Sequence, residues 1–334
     1  MRFWIILALG VMLTPPQALA DLVGHGGFVK GVAVSPDGRE ALTASFDYSV
    51  MYWALPDGAL QGRFDGHEGG VNAVAFLPDG RHAVSGADDG TMILWNLSTG
   101  TVSRKFRGHS GKIAAVAVSP DGRMAATAGW DRSVRLWDIE SGKTLKVLKG
   151  RNTNFNTIAF SPDGRRLLAG AHDSNIYLWG VPDGSLLLTI PGHDFAVNSI
   201  VFTPDGKQAV SGSVDETLRV WDLESGDELA SWYGHEGPVI GIAISANGKL
   251  VASGGIDGVV RVWHLATGKI VHALTGHRGP VWSLAFTPDG RLLLSAGADE
   301  TVRIWDVEYG TPLGGNIAEA GAEETKREDS RGAR

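Results

Sequence analysis

Residues 108–138 read GHSGKIAAVAVSPDGRMAATAGWDRSVRLWD, and most of the remaining chain is a variation on this stretch. It opens on Gly108-His109, passes through an apolar run to Ser119-Pro120-Asp121-Gly122, and continues through small residues to Asp131 and Trp137-Asp138. Proline pre-sets a turn torsion, and Asp-Gly supplies the polar, sterically permissive corner of a tight hairpin. Short apolar and β-branched runs bounded by such turns read as strands.

Working outward from this stretch, the same marks return every 42 residues without insertion or deletion. A fixed period of that length is the signature of a repeat architecture. Gly-His stands at Gly24-His25, Gly66-His67, Gly108-His109, Gly192-His193, Gly234-His235 and Gly276-His277, with Gly150-Arg151 in the fourth copy. A turn aspartate recurs at Asp47, Asp89, Asp131, Asp173, Asp215, Asp257 and Asp299. Four residues before it stands a hydroxyl at Thr43, Ser85, Thr127, Ser211, Ser253 and Ser295, replaced by Ala169 in the fourth copy. A tryptophan recurs at Trp53, Trp95, Trp137, Trp179, Trp221, Trp263 and Trp305. In the second copy the pattern predicts strands at Val71 to Phe76, His82 to Ser85, Thr91 to Trp95 and Val102 to Phe106. Four such strands make a small antiparallel sheet whose two apolar faces need neighbours on both sides.

Gly-His, the hydroxyl-bearing strand, the turn Asp and the Trp-Asp ending resemble the WD40 repeat family over residues 21–318. The Trp-Asp pair is intact at Trp137-Asp138, Trp221-Asp222 and Trp305-Asp306, while Ala54, Asn96, Gly180 and His264 follow the other tryptophans. The resemblance implies an all-β, seven-bladed propeller with four antiparallel strands per blade and a narrow central channel. It also implies that His, Ser/Thr, Asp and Trp of a repeat form a buried hydrogen-bonded chain bracing the blade.

That chain superficially resembles hydrolytic machinery. A catalytic triad occurs once, in one site, whereas this set is complete in six repeats, which points to a structural role and to no catalytic residue. The fourth repeat loses its His and its hydroxyl together, as expected if the two touch, because losing one alone would strand the other. The remaining histidines, His82, His172, His264 and His272, lack ligand spacing, so no metal is expected. With no cysteine in the chain, disulfides, thiolate metal sites and covalent haem are excluded, and no other cofactor is expected. A net charge of −7 with scattered cations argues against a nucleic-acid partner.

At the N-terminus, Arg2, the apolar run from Phe3 to Leu13 and the ending Ala18-Leu19-Ala20 predict a signal peptide over residues 1–20, cleaved before Asp21. The expected location is periplasmic or secreted, with no membrane insertion after cleavage. The fourth strand of the last blade is expected mainly from Thr311 to Ile317, and the charged tail over residues 319–334 is expected to be disordered.

Function is sought among residues the repeat leaves unexplained. In the family, the residue before each turn Asp projects onto the face that usually binds partners; here these are Phe46, Asp88, Trp130, His172, Val214, Ile256 and Ala298. Positions three and five after each Gly-His histidine contribute to the same face and include Phe28, Lys30, Lys112 and Trp282. Exposed aromatics ringed by polar groups are the usual energetic centres of protein interfaces. Phe28, Lys30, Phe46, Trp130 and Trp282, with Lys112 and Arg132 nearby, are therefore the expected partner-binding site, whereas Trp232 is expected to pack. The expected function is a monomeric, non-catalytic scaffold for one or more proteins. The alternatives are an enzyme or small-ligand binder at the channel mouth, or a propeller serving a separate periplasmic cytochrome.

Overall fold

The computed structural model describes residues 21–313. The expected signal peptide, the tail and the last four residues of the expected closing strand lie outside the described residues.

Each blade is an antiparallel sheet whose four strands follow chain order. The third blade runs Ile113–Val118, Met124–Gly129, Val134–Asp138 and Thr144–Leu148. The second strand of every blade is buried from its second residue onward, which explains its run of small and apolar residues, such as HAVSGA and MAATAG. The seven Pro-Asp-Gly or Asn-Gly turns join first to second strands, and their glycines all take positive φ, from 63° at Gly80 to 74° at Gly38. The Ser or Thr opening most of these turns supports them; Ser35 Oγ donates to Asp37 at 2.6 Å and accepts from Glu40 N–H at 3.0 Å.

Seven apolar clusters lie between successive blades. One blade contributes second- and third-strand residues such as Val84, Met92 and Leu94, and the next presents Ile113, Ala125 and Trp137 against them. First strands pack against first strands around the whole ring, and the last, Val281–Phe286, meets the first, Val29–Val34. The result is a seven-bladed β-propeller, as the repeats predict.

Every first strand carries one β-bulge, always after its first residue. The bulged residues, left without a partner on the second strand, are Lys30, Asn72, Ala114, Asn156, Asn198, Ile240 and Trp282. A bulge re-aims the side chain it carries. Here it turns one residue per blade into the mouth of the central channel.

The closing blade adds a detail to the sequence expectation. Its outer strand is split: Leu22 and Val23 pair with Val302 and Thr301, and Thr311 and Pro312 pair with Asp306 and Trp305. The N-terminal piece supplies the apolar anchor, since Leu22 is 2% exposed in the cluster joining the last blade to the first. Among the described residues of the expected Thr311 to Ile317 strand, Thr311 and Pro312 pair as strand and Leu313 adds one backbone bond. The hydrogen bonding runs on past the proline, with Leu313 N–H donating to Ile304 O at 2.8 Å, and Leu22 and Leu313 both pack on the joining cluster. Leu22→Ala should therefore lower stability to urea by about 2–4 kcal/mol. Val23→Ala, at a side chain 67% exposed, should change it by no more than about 0.5 kcal/mol.

Candidate functional site

Two sets of polar residues stand out, and their geometry separates them. The first is the bracing chain. In blade three, Trp137 Nε1–H donates to Thr127 Oγ1 at 2.9 Å, Thr127 lies 2.6 Å from His109 Nε2, and His109 Nδ1 lies 2.9 Å from Asp131. This assigns the histidine a proton on Nδ1, donated to the carboxylate, with Nε2 accepting from the hydroxyl. The same chain joins His25, Thr43, Asp47 and Trp53, and likewise His67, Ser85, Asp89 and Trp95. It recurs in His193, Ser211, Asp215 and Trp221, in His235, Ser253, Asp257 and Trp263, and in His277, Ser295, Asp299 and Trp305. Its hydroxyls are fully buried and hold both a donor and an acceptor.

Blade four substitutes a residue that the sequence reading passed over. Tyr177 stacks on Trp179 at 5.5 Å, donates its hydroxyl to Asp173 at 2.6 Å and accepts from Arg151 N–H at 3.1 Å. The signal was present, since the equivalent residues in the other copies are Met51, Ile93, Arg135, Arg219, Arg261 and Arg303. A phenol there reaches the aspartate that elsewhere meets histidine.

Burial holds the His25, His109 and His235 rings below the ordinary imidazole value of 6.5, partly offset by their aspartates. Burial also opposes ionisation of Asp47 and Asp89. Hydrogen bonds, from Ser49 and His25 to the one and from His67 and Glu68 N–H to the other, outweigh it and bring both carboxyls down to about 2.

The second set lies around the channel mouth, a cavity of about 350 Å³ lined by all seven bulged residues together with Lys112, Trp130, His172, Pro238 and Ile256. Lys30 Nζ sits 2.9 Å from the centroid of Trp282 and 5.8 Å from that of Phe46. Phe46 in turn is 6.4 Å from Phe28. Lys112 Nζ lies 3.4 Å from the centroid of Trp130, whose ring edge meets His172 at 5.0 Å and whose Nε1–H donates to Asn156 at 3.2 Å. Asn72, Asn156 and Asn198 each donate to a carbonyl of the following blade, Ile113, Val197 and Val239. The mouth is therefore held rigid from three sides.

Burial, followed by the charge of Lys112, depresses Lys30 to about 8, with Asp88 opposing. Burial likewise lowers Lys112.

The structure thus brings Phe28, Phe46, Lys30 and Trp282 together and sets Trp130 with Lys112 across the mouth. Phe28, Phe46 and Trp130 are 47%, 43% and 40% exposed. Trp282, expected as an exposed aromatic, is partly buried under Lys30, and its Nε1–H is buried without a hydrogen-bond partner. Arg132 does not line the mouth; it reaches outward to Asn152 at 2.6 Å. Phe28, Phe46, Asp88, Val214 and Ala298 are also outside the lining. Trp232 packs as expected, stacked on Trp263 at 5.9 Å. Sequence reasoning missed Phe195, which is 59% exposed in the loop after His193. Its position holds glycine in five of the other copies and Thr153 in the remaining one, and that contrast was the available signal. Among the described residues no cluster of metal-ligating side chains is present.

A ring of seven four-stranded blades carrying a complete bracing chain in six of them defines a seven-bladed repeat propeller. Residues 16–54, 58–96, 100–138, 142–180, 184–222, 226–264 and 268–306 each match the family described as WD40, WD domain, G-beta repeat. The chain belongs to the WD40 family, whose propellers are in general protein-interaction scaffolds. No curated protein matches it at a significant level. Each matched stretch from the second onward starts at the turn before the outer strand of one blade and ends with the third strand of the next, and the first, 16–54, begins outside the described residues and takes in the closing strand at Leu22 and Val23.

Two measurements test the bracing chain. Thr127→Ala leaves His109 Nε2 and Trp137 Nε1–H without their partner, and Tyr177→Phe strands Asp173. Each orphaned group should cost about 1–3 kcal/mol in urea unfolding. The neutral histidines set the pH dependence. Below 6.5 the unfolded chain takes up protons that the folded rings refuse, so stability is complete above that value and falls with acid. The slope is at most about 1.4 kcal/mol per pH unit for each ring. The aspartates add a second loss between 3.8 and about 2. Melting temperature should accordingly be flat between about pH 7 and pH 8, above which Lys30 begins to titrate, and decline steadily through pH 5, a point where aspartates alone would leave it unchanged.

Proposed function

We propose that this protein is an exported, non-catalytic scaffold that holds a partner protein on the channel-mouth face. The supporting observation is the contrast between the two polar sets. The repeated His, hydroxyl, Asp and Trp groups satisfy one another inside the blades, whereas the exposed Trp130 lines an opening to which all seven blades contribute, and the exposed Phe46 lies beside Lys30 of that lining with Phe28 next to it. Rigid aromatics beside partly buried cations form the kind of centre from which interfaces draw most of their affinity. A second reading, a small-ligand site, has the dimensions of the mouth in its favour, since 350 Å³ lies within the range of ligand cavities.

Export is tested by N-terminal sequencing of the protein from its native host, which should begin at Asp21. Binding is tested by pull-down from the periplasmic fraction, with the mature protein beside a variant carrying Phe46→Ala, Trp130→Ala and Trp282→Ala. A partner held by the first and lost by the second, both folded by circular dichroism, is the expected result. Equal capture by both would move the interface off this face. Capture by neither, with thermal stabilisation by small molecules, would favour the second reading.

A further inference from the structure

On a chain of net charge −7, the mouth is a local exception. Lys30 of blade one and Lys112 of blade three line the same opening, the charge of Lys112 bears on Lys30, and the Asp88 carboxylate of blade two bears on both. Asp88 is already engaged by Asn72 Nδ2 at 2.8 Å, and neither lysine forms a salt bridge among the described residues. Two cations against one carboxylate leave a surplus positive charge in a partly enclosed, low-dielectric opening, where it acts more strongly than on open surface.

The aromatic faces restrict which ligand can enter. A Trp or Phe ring at a binding mouth would ordinarily suit a cationic guest. Here the Trp282 and Trp130 faces are covered by the chain's own ammonium groups, at 2.9 Å and 3.4 Å. A cationic guest would meet two like charges, with an ammonium group already seated on Trp282 and another on Trp130. An anionic guest would instead meet two ammonium groups already oriented by their rings, each keeping N–H donors to spare. The exposed parts of Trp130 and Ile256 line the opening, Phe46 lies beside Lys30 with Phe28 next to it, and these suit apolar neighbours of the charged group.

We infer that the channel mouth is a receptor for a carboxylate carried by a partner polypeptide, an acidic side chain flanked by apolar residues, bound between Lys30 and Lys112. This rests on the binding-face reading above and names the chemistry that face selects. A peptide carboxylate is favoured over a free phosphate because the wall is largely apolar and offers lysines in place of the arginine forks or backbone N–H nests that phosphate sites use.

The experiment follows tryptophan fluorescence of the mature full-length protein while four probes are added at millimolar concentration. These are acetyl-Leu-Glu-Leu-amide, acetyl-Leu-Gln-Leu-amide, acetyl-Leu-Lys-Leu-amide and inorganic phosphate. The Glu peptide should saturate, weaken with salt, and bind at least about tenfold more tightly than its Gln counterpart, the loss of one charge-assisted contact. The Lys peptide should not bind. Lys30→Met and Lys112→Met, which keep the apolar stem, should each abolish the Glu preference in a protein whose circular dichroism and melting are unchanged. Equal binding of the Glu and Gln peptides, or saturation by none of the peptides, would overturn the inference. Phosphate saturating in place of the Glu peptide would overturn it in favour of an inorganic-anion site. If both lysine variants still capture the partner that the triple alanine variant loses, the acid preference fails while the binding face stands.

Discussion

The structure rests on the fact that no blade can stand alone. Each is four short strands deep, and its second and third strands carry buried side chains on both faces. Such a sheet is stable only between two others, and an open stack would leave two apolar faces in water. Closing seven blades into a ring removes both ends. The hole left at the centre, the split strand that seals the last blade and the rigidity of the rim all follow from that closure.

The bulges turn this packing solution into a surface. A first strand in perfect register would alternate its side chains between the two blade faces. One extra residue at its start releases a side chain from that alternation and delivers it to the rim. Because the bulge occupies the same place in all seven copies, the repeat builds a ring of seven positions free of duty in the inter-blade cores. Three are asparagines that tie one blade to the next, and at the ring closure Lys30 and Trp282 meet across the first and seventh blades. A single architectural device therefore serves both cohesion and the shaping of the mouth.

The bracing chain shows why residue type alone misleads about chemistry. Histidine, a hydroxyl and a carboxylate in line are the parts of a hydrolase, yet here a tryptophan N–H occupies the hydroxyl oxygen that a nucleophile would need free. The whole chain is a way of satisfying buried polar groups. Blade four reaches the same end by other means, with the Tyr177 phenol meeting the aspartate. What is preserved is satisfaction of the carboxylate.

The repeats, the strand pattern and the hydrogen-bonded sets were legible in the chain because each is local or recurs at one fixed spacing. Seven copies act as controls on one another, so Tyr177 and Phe195 could have been found as departures from their own columns. Ring closure was not legible in this way. The sequence around Leu22 is too short to read as a strand, and its pairing with Val302 depends on where the ring brings the two termini. The burial of Trp282 beneath Lys30 and the outward turn of Arg132 were also hidden, because both depend on packing between blades that are distant in sequence. Periodicity by itself determined the number of blades, the strand order within each and the residues that brace them. Only the closed tertiary structure decided which side chains share the mouth, since contacts between the first, third and seventh blades exist only once the ends of the chain have met.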